Sequence, residues 1–224
     1  MQLENYLERD DRIVLPLGST EQHAYLSLGT DAILAERVAL EAAEPLGVPV
    51  LPAMPFGITP TFAAFPGSPS LRTETLLTVV RDVLDSLHAQ GFRRILLLNG
   101  HGGNAPVRSV AREWTVAHDD GQALYHEWFG PQTYAVIREI EPEGQHASWW
   151  ENFPWTRLAE VDVPQEPKPP MDKAAYEVAD AQGVREVIGD GSFGGPYERP
   201  QKDLDRVWEA AVAEARDRLE NGWA

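Results

Sequence analysis

The chain has 224 residues, no cysteine, and 35 acidic against 19 basic side chains, which gives a formal net charge of −16. This charge would repel a phosphate backbone, so nucleic acid is not an expected partner. Without cysteine there are no disulfides or thiolate ligands, and only histidine and carboxylate side chains remain as metal donors. No apolar run approaches the ~20 residues of a membrane-spanning helix, and residues 1–6 lack a secretory signal pattern. We therefore expect a cytoplasmic protein without a membrane partner.

Apolar runs alternate with amphipathic stretches along the chain. The pattern predicts strands at residues 13–17, 48–51, 95–98 and 122–128, and helices at 31–43, 73–90, 105–118, 173–187 and 202–219. Residues 52–69 are rich in proline, glycine and aromatic side chains, and a loop of that length is typical of a lid or binding loop. We expect one α/β domain over residues 1–224, with a mainly parallel sheet flanked by helices on both faces.

Potential metal ligands follow two of the predicted strands. Glu21 and His23 come soon after the first strand, and His101 comes soon after the strand at residues 95–98. Open parallel sheets bind ligands beyond the carboxyl ends of their strands, and residues two apart in an extended segment point the same way. Asp31, at the start of a predicted helix, is either a ligand able to bridge two ions or a helix cap. The combination of two imidazoles and two carboxylates favours a metal site.

His101 lies in a glycine-rich turn, NGHGGN at residues 99–104, which lets the backbone approach a ligand closely. Such a turn before a helix could instead hold a phosphate. The P-loop and dinucleotide-binding patterns are both missing, and a phosphate turn has no need of a histidine. A metal role for His101 is therefore favoured. The chain also lacks a GxSxG pattern, so nothing supports a nucleophilic serine.

A third cluster of polar and aromatic residues lies at residues 145–152, QHASWWEN. His146 and Glu151 are close to the spacing of helical neighbours and could form an acid/base pair beside a substrate. The alternative is a solvent-facing histidine and a surface glutamate on a segment whose tryptophans belong to the core. Adjacent side chains diverge, so we expect at most one of Trp149 and Trp150 to contact substrate.

The strand predicted at residues 122–128 ends at Trp128, a third candidate for contact with substrate. His126, two residues earlier, could also approach the site. His88 near a helix end and His118 beside two aspartates are expected to have structural or solvated roles.

These pieces together resemble the creatininase family, the creatinine amidohydrolases and their relatives. The matching pieces are LPLGSTEQH at residues 15–23, LGTD at 28–31, NGHGGN at 99–104 and HAxxxE at 146–151. The resemblance implies a metal-dependent hydrolase of carbon–nitrogen bonds with a creatininase-like α/β fold and often a hexameric assembly. Carried over by position, the resemblance implies that the metal ligands are Glu21, His23, Asp31 and His101, with Asp31 bridging two ions. It also implies that His146 and Glu151 line the reacting centre.

Three departures from the family pattern fall at the site. The loop between His23 and Asp31 is one residue shorter than usual, and Gly103 stands where creatininase has a glutamate. Trp149 replaces the first glutamate of the HAGExET stretch of many relatives, while Glu151 keeps the second. Glu151 is then either an acid/base group or the ligand that compensates for Gly103.

We expect an amidohydrolase acting on a small amide, cyclic amide or formamide with water activated by one or two divalent ions. Zn, Mn or Fe suits nitrogen and oxygen donors, and His146 or Glu151 would move protons to the leaving nitrogen. A homo-oligomer, with the hexamer as the family's assembly, is expected. The alternatives are a non-catalytic metal- or small-molecule-binding protein on the same fold, and a peptide-trimming relative in redox-cofactor maturation.

Overall fold

A three-stranded parallel sheet lies at the centre of the computed structural model, which describes residues 2–223. Strands β1 (Arg12–Leu17), β2 (Arg94–Asn99) and β3 (Gln122–Glu127) pair in that order. Leu17 at the end of β1 lies opposite Asn99 at the end of β2. Because the strands are parallel and in register, the segments that follow them all leave from one edge of the sheet.

Eight α-helices fall within residues 2–223. They are α1 (Gln2–Leu7), α2 (Thr30–Ala43), α3 (Thr73–Ala89), α4 (Val107–Ala117), α5 (Pro131–Ile140), α6 (Lys173–Val178), α7 (Ala181–Ile188) and α8 (Gln201–Asn221). Short 3₁₀ helices at Gly102–Asn104 and Trp149–Glu151 carry two of the predicted site segments. No helix in this part of the chain has both the length and the apolarity needed to cross a membrane.

Successive residues of the strands pack against helices on opposite faces of the sheet, as the pleat of a strand requires. Val14 and Leu96 point to the face covered by α2 and α8. Leu15 and Leu97 point to the other face, which α3 and α4 cover. The predicted parallel sheet with helices on both faces is confirmed.

The segment predicted as a strand at residues 48–51 forms no regular strand, so that prediction was wrong. The chain at this edge instead contacts β1 in two isolated parallel bridges, in which Val50 pairs with Val14 and Met54 pairs with Leu17. Pro49 and Pro52 interrupt the ladder, because proline has no backbone N–H to donate.

The single helix predicted at residues 173–187 is divided into two helices, α6 and α7, in the structure. The carboxylate of Asp180 accepts a hydrogen bond from Gly183 N at 2.9 Å and starts the second helix.

Helix α5 is not predicted by the local sequence, although Pro131 occupies a favoured first position. Its first turn is capped from α8, where Glu214 accepts hydrogen bonds from the backbone N–H and the hydroxyl of Thr133 at 2.9 and 2.8 Å. A cap supplied by a distant helix leaves no local signal. The helix matters here because Tyr134 and Arg138 on it line the cavity described below.

Candidate metal centre

Six predicted side chains converge at the carboxyl edge of the sheet. Glu21 and His23 follow β1, Asp31 lies in the first turn of α2, His101 follows β2, and His146 and Glu151 lie beyond α5. Five of them are at most 7% exposed, and the side chain of His146 is 16% exposed. The structure thus brings together, inside the protein, residues that are up to 130 positions apart in the sequence.

Two glycines at the strand ends allow α2 to come this close. A Cβ atom at Gly100 would lie 2.1 Å from the carbonyl oxygen of Asp31, and one at Gly18 would lie 2.4 Å from Cα of Ala32. Any side chain at either position would displace the first turn of α2. Both glycines therefore serve to hold the Asp31 carboxylate at the sheet edge.

Asp31 lies between two imidazoles. Its Oδ1 is 3.1 Å from Nε2 of His23, and its Oδ2 is 3.0 Å from Nδ1 of His101. The hydroxyl of Ser19 donates to Oδ2 at 2.8 Å. The N-cap of α2 is Gly29, and the contacts of the Asp31 carboxylate are with Ser19 and the two histidines, not with the end of the helix.

Two groups of three donors share this aspartate. Glu21, Asp31 and His101 form one group, with Oε1 of Glu21 3.2 Å from Nδ1 of His101. His23, Asp31 and Glu151 form the other, with Oε2 of Glu151 4.0 Å from Nε2 of His23. Within each group the donor atoms lie within 4.8 Å of one another. The arrangement offers two adjacent cation positions that have one carboxylate in common.

Each of the three imidazoles has one ring nitrogen against a backbone carbonyl. The acceptors are the carbonyl oxygens of Glu21, Ile58 and Gln22, at 3.1, 2.9 and 3.1 Å from His23 Nδ1, His101 Nε2 and His146 Nε2. The nitrogen that donates there carries the proton, which leaves the lone pair of the other nitrogen facing the carboxylates. Metal-ligating histidines are oriented in the same way.

The donor set fits a metal ion. Nε2 of His23 is buried and has no hydrogen-bond partner among residues 2–223, although it lies 3.1 Å from a carboxylate oxygen of Asp31. A buried lone pair beside a carboxylate is unfavourable, so without a metal ion Nε2 takes up a proton, in line with the raised pKa of His23, and a metal ion would take the place of that proton. Imidazole nitrogen and carboxylate oxygen are the donors that Zn and similar divalent ions accept in proteins.

The electrostatics of the cluster also favour a cation. Burial opposes a charge on His23, but Asp31 and then Glu151 raise its pKa to about 10. Burial likewise opposes ionisation of Asp31, yet His23 and His101 hold its pKa well below the usual range. Burial raises the pKa of Glu151 to about 8. Burial, with a contribution from His23, lowers the pKa of His146 to about 4, which leaves that imidazole neutral near pH 7.

The cluster opens into a cavity of about 530 Å³, a volume typical of small-molecule sites. Besides the proposed donors, six aromatic residues line it, namely Phe62, Phe129, Tyr134, Trp150, Tyr176 and Phe193. The loop expected to be functional at residues 52–69 supplies Phe62 and also Thr59, whose hydroxyl donates to Oε2 of Glu21. Neither Thr59 nor Ser19 is a residue that sequence reasoning identified.

The three tryptophans that were candidates for contact with substrate occupy different places. Trp150 lines the cavity, whereas Trp128 and Trp149 are fully buried in the core beside α2 and α8. Trp128 stacks behind Trp150 with 5.5 Å between ring centroids, so it supports the cavity wall without being part of it. His126 is buried near Glu214 and is likewise absent from the lining.

Gly103 has no room for a side chain. A Cβ atom there would lie 2.0 Å from the carbonyl oxygen of Ile58 and 2.3 Å from Nε2 of His101. Those two atoms form the hydrogen bond that orients His101. A glutamate at this position would therefore require the loop to move.

Comparison with known proteins identifies the family and the fold of the chain. The family model of creatininase, described as creatinine amidohydrolase, matches residues 1–219. The chain belongs to the creatininase family. Creatinine amidohydrolase of Pseudomonas putida is 30% identical over 145 residues, which is 59% of this chain and 56% of that protein. The mycofactocin precursor peptide peptidase of Mycolicibacterium smegmatis is 34% identical over 106 residues, 44% of this chain and 42% of that protein. The chain thus spans about half the length of the curated relatives it matches.

Solved creatininase structures share the fold over nearly the whole chain. A manganese creatininase and a creatininase mutant of the Zn–Zn type are each 25% identical, with a TM-score of 0.74. Each comparison covers 98% of this chain and 96% of the solved chain. The predicted family and the creatininase-like fold are confirmed.

Proposed function

We propose that this creatininase-family chain is a metal-dependent amidohydrolase that cleaves a carbon–nitrogen bond in a small amide, cyclic amide or formamide. The observation that carries the proposal is the placement of Asp31, with one oxygen 3.1 Å from His23 and the other 3.0 Å from His101. A buried carboxylate shared between two imidazoles, at the end of an aromatic cavity, suits a hydrolytic metal centre.

Glu21, Asp31 and His101 would hold one ion, and His23, Asp31 and Glu151 a second. Zn and Mn occur in the creatininase structures named above, and Fe would suit the same donors. A divalent ion in such a site polarises a carbonyl oxygen and lowers the pKa of a water molecule that it binds.

His146 is the proposed proton carrier. An amide anion is a very poor leaving group, so hydrolysis requires a proton at the leaving nitrogen. The Nδ1 atom of His146 belongs to a partly exposed, neutral imidazole on the cavity wall, and it can accept a proton from the attacking water and return it to the leaving nitrogen. Glu151 accepts a hydrogen bond from Ala147 N at 2.6 Å and lies in a donor group with His23 and Asp31. This supports a ligand role for Glu151, although His146 also lies in a donor group, with Glu21 and His23.

Metal analysis combined with turnover tests the proposal. Purified protein should contain a transition metal, should lose hydrolysis of formamides, linear amides and lactams on chelation, and should regain it with Zn or Mn. Full turnover by metal-free protein would contradict the mechanism. Metal binding without turnover of any amide would favour the non-catalytic alternative.

A second candidate is the trimming of short peptides, which the similarity to a mycofactocin precursor peptide peptidase favours. Adding dipeptides and tripeptides to the panel separates the two functions, because a peptide-specific enzyme would leave formamides and lactams intact.

We further propose one domain over residues 1–224, located in the cytoplasm and assembled as a homo-oligomer, with the hexamer implied by the family. Light scattering during gel filtration measures the assembly.

A further inference from the structure

The cavity contains a cationic side chain that the proposed chemistry does not use. Arg138 of α5 is the only lysine or arginine among the lining residues that the structure describes. Its side chain is exposed, and Nη1 donates to the carbonyl oxygen of Pro142 at 2.7 Å. The remaining N–H groups of the guanidinium are available to a ligand.

The charge of Arg138 is not neutralised by its acidic neighbours. Glu139 pairs with Arg206 at 2.9 Å, and Glu141 lies 3.9 Å from Arg199. No ion pair joins Arg138 to a carboxylate within residues 2–223 at distances up to 4.0 Å. In a chain with a net charge of −16, this leaves a cation on the cavity wall without a carboxylate partner.

The surroundings of Arg138 suit an amphipathic ligand. Tyr134 lies one helical turn earlier on the same face of α5 and also lines the cavity. Phe129 and Trp150 make an edge-to-face contact at 5.3 Å and form an apolar part of the lining. The cavity therefore combines buried metal donors, an aromatic wall and a guanidinium.

We propose that Arg138 binds a carboxylate of the substrate, which makes the substrate an amide that bears both a carboxylate and an apolar or aromatic side chain. The inference rests on the proposed hydrolase function. A guanidinium presents parallel N–H donors that match the two oxygens of a carboxylate. Two sources share this chemistry, an N-acylated amino acid and the C-terminus of a short peptide.

Matched substrate pairs test the role of Arg138. On metal-loaded protein, N-formyl-L-phenylalanine is compared with its carboxamide, and glycyl-L-phenylalanine with its carboxamide, which also distinguishes the two sources. We expect kcat/KM to favour the carboxylate by about tenfold, mainly through KM. Arg138→Gln should abolish the preference at unchanged metal content, and Arg138→Lys should keep part of it. Arg112→Gln, which removes the same charge from an exposed position of α4 outside the cavity, should retain the preference.

Binding of an inert probe separates this inference from the hydrolase proposal. Calorimetry should show 3-phenylpropionate binding about tenfold more tightly than 3-phenylpropionamide, and Arg138→Gln should remove the difference. If no amide or peptide is hydrolysed, the hydrolase proposal fails and the calorimetric comparison still decides the role of Arg138. Equal treatment of carboxylate and carboxamide by the original protein, or a preference that survives Arg138→Gln, would overturn the inference.

Discussion

Interatomic distances at the sheet edge distinguish between the alternative roles of single residues. Asp31 could have been a helix cap, but both of its oxygens lie about 3 Å from imidazole nitrogens, and α2 has no side-chain cap. Gly103 orients the site by leaving room for the hydrogen bond from His101 to the carbonyl of Ile58. A ligand role for Glu151 would supply a carboxylate that Gly103 cannot.

Asp31→Asn should lose both metal and turnover, because an amide replaces one of the two shared oxygens with an N–H donor. An aspartate that only capped the helix would instead cost about 1 kcal/mol of stability on removal and leave metal content unchanged. Asp203→Asn is the matched control, since Asp203 is also buried in the first turn of a helix but lies outside the cavity. Elemental analysis of the two folded variants is the measurement, and equal metal content would exclude Asp31 as a ligand.

His146→Ala should reduce turnover by roughly 10²–10⁴-fold while retaining metal, as expected for the loss of a general acid/base. The partly exposed His118, outside the cavity, gives the control His118→Ala. Full activity of metal-loaded His146→Ala would show that this imidazole is structural.

Glu151→Gln should lower metal content as well as turnover if the Glu151 carboxylate is a ligand.

Among single residues, the sequence predicts the proposed metal donors better than the side chains that hydrogen-bond to them. Glu21, His23 and His101 are recognisable because each follows an apolar strand at short range. Ser19 and Thr59 are not, because their hydroxyls contact Asp31 and Glu21 across 12 and 38 positions. Contacts of that kind depend on how the elements pack.

Helices and strands likewise differ in how well the sequence predicts them. Strongly periodic helices such as α3 and α8 are predicted to within about two residues, since their apolar faces pack directly on the core. The short helix α5 is not, because its first turn is capped from α8. The edge segment beside β1 is too rich in proline for the regular strand that its apolar residues predict.

Glu214→Ala should destabilise α5, because it removes the acceptor of the Thr133 N–H and hydroxyl in a buried position. We expect a loss of about 1–3 kcal/mol in the free energy of unfolding. Glu220→Ala, at an exposed position of the same helix, should change it by no more than about 0.5 kcal/mol. Urea denaturation measures both variants, and equal stabilities would show that the long-range cap is not needed.

At the scale of the whole molecule, the proposed metal centre joins three parts of the chain. The segments after β1 and β2 and the segment beyond α5 each supply donors to one buried cluster. The carboxylates of Glu21, Asp31 and Glu151 repel one another in this buried cluster, and a cation offsets that repulsion. The site should therefore contribute to folding as well as to chemistry.

Chelation should lower the melting temperature, because an ion bound only by the folded state stabilises it by RT ln(1 + [L]/Kd). At a free metal concentration of about 100 Kd this amounts to about 2.7 kcal/mol. Titrating Zn or Mn into the chelated protein should restore the melting temperature progressively. Asp31→Asn should show no such response, while Asp203→Asn should respond like the original protein. A melting temperature independent of metal in the original protein would mean that the cluster is stable without a cation, and the proposed metal centre would then lose its physical basis.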